Sequence, residues 1–138
     1  MENTQINPDE HIIFDLDELS LQTEYPIRAV CASIRTVIEP MIEDRQQLAD
    51  INLGVHEMVK DVETHGDESD IRLVIVRREL GGVAIETIDK PKKHSEHNGF
   101  GRIILETIFG DDYSTTTDGD VFKGHLYIRH DGSGPISQ

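Results

Sequence analysis

A chain of 138 residues with 27 acidic and 13 basic side chains, a formal charge of −14, is long enough to bury one core. It is too acidic to hold phosphate backbones or anionic lipid over a broad surface. No tryptophan, few other aromatics and a single cysteine, Cys31, exclude an aromatic nucleic-acid platform and an internal disulfide, and point to a reducing compartment.

Residues 1–10, "MENTQINPDE", are polar and lack the basic-then-apolar order of a secretory leader. They read as a flexible N-terminal tail. No apolar run in the chain reaches the length of a membrane span, so the expectation is a cytoplasmic protein without a membrane partner. "HIIFDLDEL" places Ile12, Phe14 and Leu16 on one side of a strand. In "YPIRAVCASIRTVIEPMIE" the period changes. Ile27, Val30, Cys31, Ile34, Val37, Ile38 and Met41 recur at helical spacing, Pro26 suits a first turn, and Pro40 ends or kinks the helix. Cys31 reads as a small buried hydrophobe.

A second helix is expected from Gln46, with Leu48, Ile51, Val55, Met58, Val59 and Val62 on its apolar face. It stops near Gly66, in a left-handed terminal conformation. "GDESD" is a turn. "IRLVIVRR" and "VAIETID" are strands, and "ELGG" joins them as a hairpin. "KPKKHSEHNG" is polar and aperiodic and reads as a mobile loop; "FGRIILETIFG" is a short helix with a glycine at each end. "DDYSTTTDGD" reads as a turn-rich link, "VFKGHLYIRH" as the last strand, and residues 131–138 as a flexible tail. Residues 11–130 therefore read as a single α+β domain. The expected architecture is a two-layer α/β sandwich with a mixed, mostly antiparallel sheet covered on one face by about three helices.

The helix "GVHEMVKDVETHG" poses a question of chemistry. Glu57, Asp61 and His65 are spaced by four and four, so they form one stripe that borders the apolar face. Gly54 lies near the same line and leaves a bare patch of backbone there. An ordinary polar flank explains such a stripe. A shared divalent ion is a second reading, since carboxylates and imidazole can ligate one. The zinc-protease helix is excluded, because Lys60 stands where its second histidine is required. His94, Glu96 and His97 lie in the polar loop and read as solvated side chains. No Ser–His–Asp or Cys–His spacing offers a hydrolase.

"INLGVHEMVKDVETHG" resembles the helix of the bacterial anti-sigma-factor serine kinases, with Glu57, three residues, Asp61, three residues, then His65-Gly66. The upstream helix "YPIRAVCASIRTVIEPMI", with Arg35 near its middle, is similar to that family as well. So are "VAIETID", ending in Asp89, and "NGFGRIILETIFGDDYS", which looks like the family's second glycine box. The resemblance covers about residues 12–128 and implies the histidine-kinase-like ATPase fold shared with gyrase and histidine kinases. It implies that Glu57 is the general base or orients the accepting hydroxyl, and that Asp61 carries Mg²⁺ where the family has asparagine. It also implies that Asp89 reads the adenine amino group of ATP. His65, Lys93, Gly99, Gly101 and Arg102 fall in the regions that would hold nucleotide, with the glycines opening backbone N–H groups to phosphate. The implied partners are a sigma factor and an anti-sigma-factor antagonist protein, with a homodimer as the assembly and no direct contact to nucleic acid.

The chain departs from the family at the first glycine box, where "DKPKK" puts Pro91 and Lys93 at the two glycine positions. Proline fixes φ and removes a donor, while Lys90, Lys92 and Lys93 form a local basic patch able to meet phosphates as point charges. Two functional expectations follow. One is an ATP- and Mg²⁺-binding regulator that phosphorylates a serine on an antagonist protein. The other is a relative that keeps the fold as a protein-binding module without nucleotide chemistry.

Overall fold

The computed structural model describes residues 11–66, 71–91 and 100–130. The expected tails at 1–10 and 131–138, most of the "GDESD" turn and most of the polar loop at 90–99 lie outside the described residues. In chain order the elements are β1 (His11–Asp15), α1 (Leu16–Leu19), α2 (Pro26–Ile38), a 3₁₀ turn (Glu39–Met41), α3 (Arg45–His65), β2 (Arg72–Glu79) and β3 (Gly82–Asp89). Then come α4 (Phe100–Phe109), a second 3₁₀ turn (Gly110–Asp112), β4 (Tyr113–Asp118) and β5 (Val121–Arg129).

The five strands form one open sheet in the order β1-β2-β3-β5-β4. Every neighbouring pair is antiparallel. With the helices packed on it, the protein is a two-layer α/β sandwich. Side-chain alternation explains why one face is covered. Val74 and Val76 of β2, Val83 and Ile85 of β3, and Leu126 and Ile128 of β5 are all buried, and each strand presents such residues at every second position. Val30, Ile34 and Ile38 of α2 and Ile51, Val55, Met58, Val59 and Val62 of α3 close over them.

Three local expectations are corrected. Leu16 does not continue the first strand. Asp15 accepts from the backbone N–H groups of Asp17 and Glu18 and caps α1, and Leu16 is fully buried at its start. The segment read as a turn-rich link contains β4, an edge strand anchored by buried Tyr113 opposite Leu126. Its other residues are threonine, serine and aspartate, so apolar alternation gave no signal there. The sheet is not mixed as expected, since every neighbouring pair is antiparallel. A strand–helix–strand connection within one sheet returns parallel. Here α4 leads first to β4 at the edge, and the chain then turns back to insert β5 antiparallel between β3 and β4.

The first long helix ends at Ile38 before Pro40, and α3 begins after Asp44, whose side chain accepts from the N–H groups of Gln46 and Gln47 at 2.8 and 3.1 Å. Gly66 ends α3 in an extended conformation (φ −72°, ψ 147°), not a left-handed one. It is small for another reason. A Cβ there would stand 2.6 Å from the Val62 carbonyl and 2.7 Å from Arg72 Cδ, so glycine lets the helix end pass against the Arg72 stem.

Candidate functional site

The sequence stripe sits where α4 crosses α3. A Cβ on Gly101 would lie 3.3 Å from Glu57 Oε1 and 3.9 Å from Asp61 Oδ1, so the first turn of α4 rests directly on the two carboxylates. Glycine is what permits that approach. The first N–H groups of a helix carry the positive end of its dipole, and the carboxylates sit where that end attracts them. Further along, Leu105 and Phe109 of α4 lie over Gly54. The edge of the Phe109 ring would be 2.3 Å from a Cβ on that residue. Gly54 is therefore not the bare backbone expected from the sequence. It is the slot that seats Phe109.

Glu57 has a side chain 13% exposed and pairs with Lys60 at 3.2 Å. Around Asp61 the field is mixed. The phenol of Tyr113 is pushed up to about 12, first by burial and then by the Asp61 carboxylate, with Arg102 pulling the other way and Glu106 adding to the rise. Asp61, Arg102, Glu106 and Tyr113 thus share one neighbourhood on α3, α4 and β4. Arg102 itself pairs with Glu106 along α4 at 3.1 Å.

Asp89 ends β3 and is fully buried. Inward-facing positions on that strand run Val83, Ile85, Thr87, Asp89, so its carboxylate belongs to the helix-covered side of the sheet. Opposite it in the β2–β3 register is Arg72, also buried. Arg72 donates through Nη1 to the Glu63 carbonyl at 3.0 Å and through Nη2 to Asp17 Oδ1. It thereby ties the last turn of α3 to the first turn of α1. A bridge between Gly66 and Pro91 joins the ends of α3 and β3, so Asp61 and Asp89 lie toward the same end of the sandwich.

The structure brings Glu57, Asp61 and Gly101 into contact and places Arg102 beside them. Lys93 and Gly99 lie outside the described residues, as do His94, Glu96 and His97 and the side chain of His65. Lys90 pairs with Asp120 in the β4–β5 turn at 3.3 Å. Cavities of about 600 and 320 Å³ open among the described residues, and neither is lined by Glu57, Asp61 or Asp89. Among the described residues no three His, Cys, Asp or Glu side chains converge as a metal cage. The donor set present suits a hard cation held by one carboxylate and completed by ligand oxygens and water.

Sequence reasoning missed Arg72 and Tyr113. Arg72 was visible in principle, because it shares inward parity with Val74 and Val76. A cation at such a position needs a buried partner. Tyr113 carried no signal once its segment was read as a link. Among the described residues no helix is long and apolar enough to cross a membrane. Against known proteins, no family model and no curated protein matches the chain. The functional reading therefore rests on this geometry and on the motifs themselves.

Proposed function

We propose that this protein is a magnesium-nucleotide-binding regulator of the anti-sigma-factor serine-kinase type. The observation that carries the proposal is the seating of Gly101, at the start of α4, on Glu57 and Asp61. Those are the groups that the phosphate-transfer reading requires side by side. Asp61 would hold Mg²⁺ against the phosphates, Glu57 would orient the serine hydroxyl of an antagonist protein, and Asp89 would accept from the adenine amino group. Bound Mg²⁺ supplies charge neutralisation of the phosphoryl group. Without it, two carboxylates beside a helix N-terminus oppose a triphosphate. A sigma factor, an antagonist protein and a second copy of the chain are the partners this reading assigns.

A second reading is favoured by a specific observation. Asp89 is fully buried, and Pro91, at a glycine-box position, is bridged to Gly66. A base that reads Asp89 must displace what covers it. On this reading the fold persists as a protein-binding module with no nucleotide chemistry.

Isothermal titration separates the two. Mg·ATP added to the full chain is expected to bind, and Asp89→Asn is expected to weaken binding about ten-fold or more by exchanging an acceptor for an amide. Asp61→Asn is expected to bind nucleotide more tightly than the parent when Mg²⁺ is chelated, because one repulsive charge is gone. No heat from any of the three proteins, together with sigma-factor capture that nucleotide does not alter, would establish the binding-module reading.

A further inference from the structure

We infer that the groove between α2 and α3 is a docking site for an amphipathic helix of a partner protein. That helix carries an acidic side chain toward Arg35 and a basic one about two turns away, toward Glu24 and Glu63. The groove uses none of Glu57, Asp61 or Asp89, so it stands independently of nucleotide binding.

The larger cavity, about 600 Å³, lies in this groove, within the range that holds a substantial ligand. Ile27, Cys31, Ala32 and Val55 give it apolar surface, and Arg28, Arg35, Asn52 and His56 supply polar groups. Its lining on α3 runs from Asn52 to Glu63, about 16 Å at the helical rise. That is about three turns of a docked helix and longer than a compact metabolite. Tyr25, which lines the groove just before α2, leaves apolar surface exposed at 55%. Recognition of a helix in a groove uses apolar anchors of this kind.

Charge is uneven along the groove, with Arg28 the one cation lining its Glu24 end among the described residues. The short link after α2 makes α2 and α3 antiparallel, so Glu24, before α2, lies at the same end as Glu63, near the end of α3. Arg35 and His56 lie toward the other end. Most described cations are already engaged. Lys60, Arg72, Arg77, Lys90, Arg102 and Arg129 each pair with a carboxylate, and Arg28 lies over the Tyr25 ring at 4.7 Å. Arg35 is exposed and forms no ion pair among the described residues. In a chain of charge −14, an unengaged guanidinium beside apolar surface favours an anionic group on an apolar scaffold. At the opposite end Glu24 and Glu63 outnumber Arg28, whose guanidinium lies over the Tyr25 ring, so a cation is favoured there and the direction of the helix is set.

The test is selection from a phage-displayed library of short amphipathic helices on the full-length chain, with affinities then measured by fluorescence anisotropy. Selected helices are expected to carry an acid and a base about two turns apart. Arg35→Glu is expected to weaken them about ten-fold, the scale of a close interfacial charge pair. A peptide whose acid is replaced by lysine is expected to recover affinity for that variant. Ala32→Trp, which fills the groove from an exposed position, is expected to abolish binding while the melting midpoint stays near that of the parent. Helices that bind Ala32→Trp as well as the parent would overturn the inference, as would affinities indifferent to Arg35→Glu. Sedimentation showing a dimer that Ala32→Trp dissociates would overturn it too, by assigning the groove to a second copy.

Discussion

Asp61 and Tyr113 make a titration experiment out of the α3–α4–β4 contact. Burial is the first cause of the raised phenol and the Asp61 carboxylate the second. Asp61→Asn is therefore expected to bring the Tyr113 transition part of the way back toward 10, read as phenolate absorbance against pH. A transition that does not move would place Asp61 away from the phenol. Cys31 is the simpler case. Burial pushes its thiol from 9.0 up to about 11, and the thiolate is the reactive form. Alkylation near neutral pH is expected to be much slower in the native protein than in urea, followed by mass spectrometry. Arg72 is a third residue whose role is local and measurable. It holds the Glu63 carbonyl and Asp17 from a buried position. Arg72→Met is expected to cost about 1.5–3 kcal/mol in urea unfolding, the range for hydrogen bonds to charged groups.

Between elements, the decisive contact is α4 on α3. Gly54 seats Phe109, Gly101 seats against Glu57 and Asp61, and Leu105 between them is fully buried. Side chains at 54 and 109 compete for one space. Gly54→Leu is expected to destabilise the fold by about 1–3 kcal/mol through overpacking. Phe109→Ala is expected to be destabilising alone but partly restorative in the Gly54→Leu background, so a double-mutant cycle should give a clear coupling. Additive effects would mean that the helices do not meet there. The same helix pair carries the candidate site, since α4 packs on α3 from Phe109 at Gly54 back to Gly101 at Glu57 and Asp61. The stripe was legible from spacing alone. What lay on top of it was not, since a glycine reads the same whether it faces solvent or an aromatic ring.

For the whole molecule, the raised groups set the alkaline limit of stability. Cys31 and Tyr113 keep their protons in the folded state at pH values where the unfolded chain has released them. Between about pH 9 and 12 the native state therefore binds more protons, and stability falls as pH rises. Below about pH 9 these two groups contribute no slope. Urea midpoints measured across that window are expected to decline, and a flat profile would contradict the burial of both side chains.

The amino-acid sequence alone determined the two-layer class, the span of both long helices, the β2–β3 hairpin and the pairing of Glu57 with Asp61 on one helical stripe. Each of these follows from periodicity or local backbone chemistry, which neighbouring residues carry by themselves. Tertiary structure decided the rest. It set the edge strand β4, where one buried tyrosine outweighs five polar side chains, and through it the antiparallel direction of β5. It also set the burial of Asp89 opposite Arg72, the seat for Phe109 at Gly54, and the open groove beside Arg35. Those outcomes depend on which distant segments meet, and a contact between residues far apart in the chain leaves no period in either one.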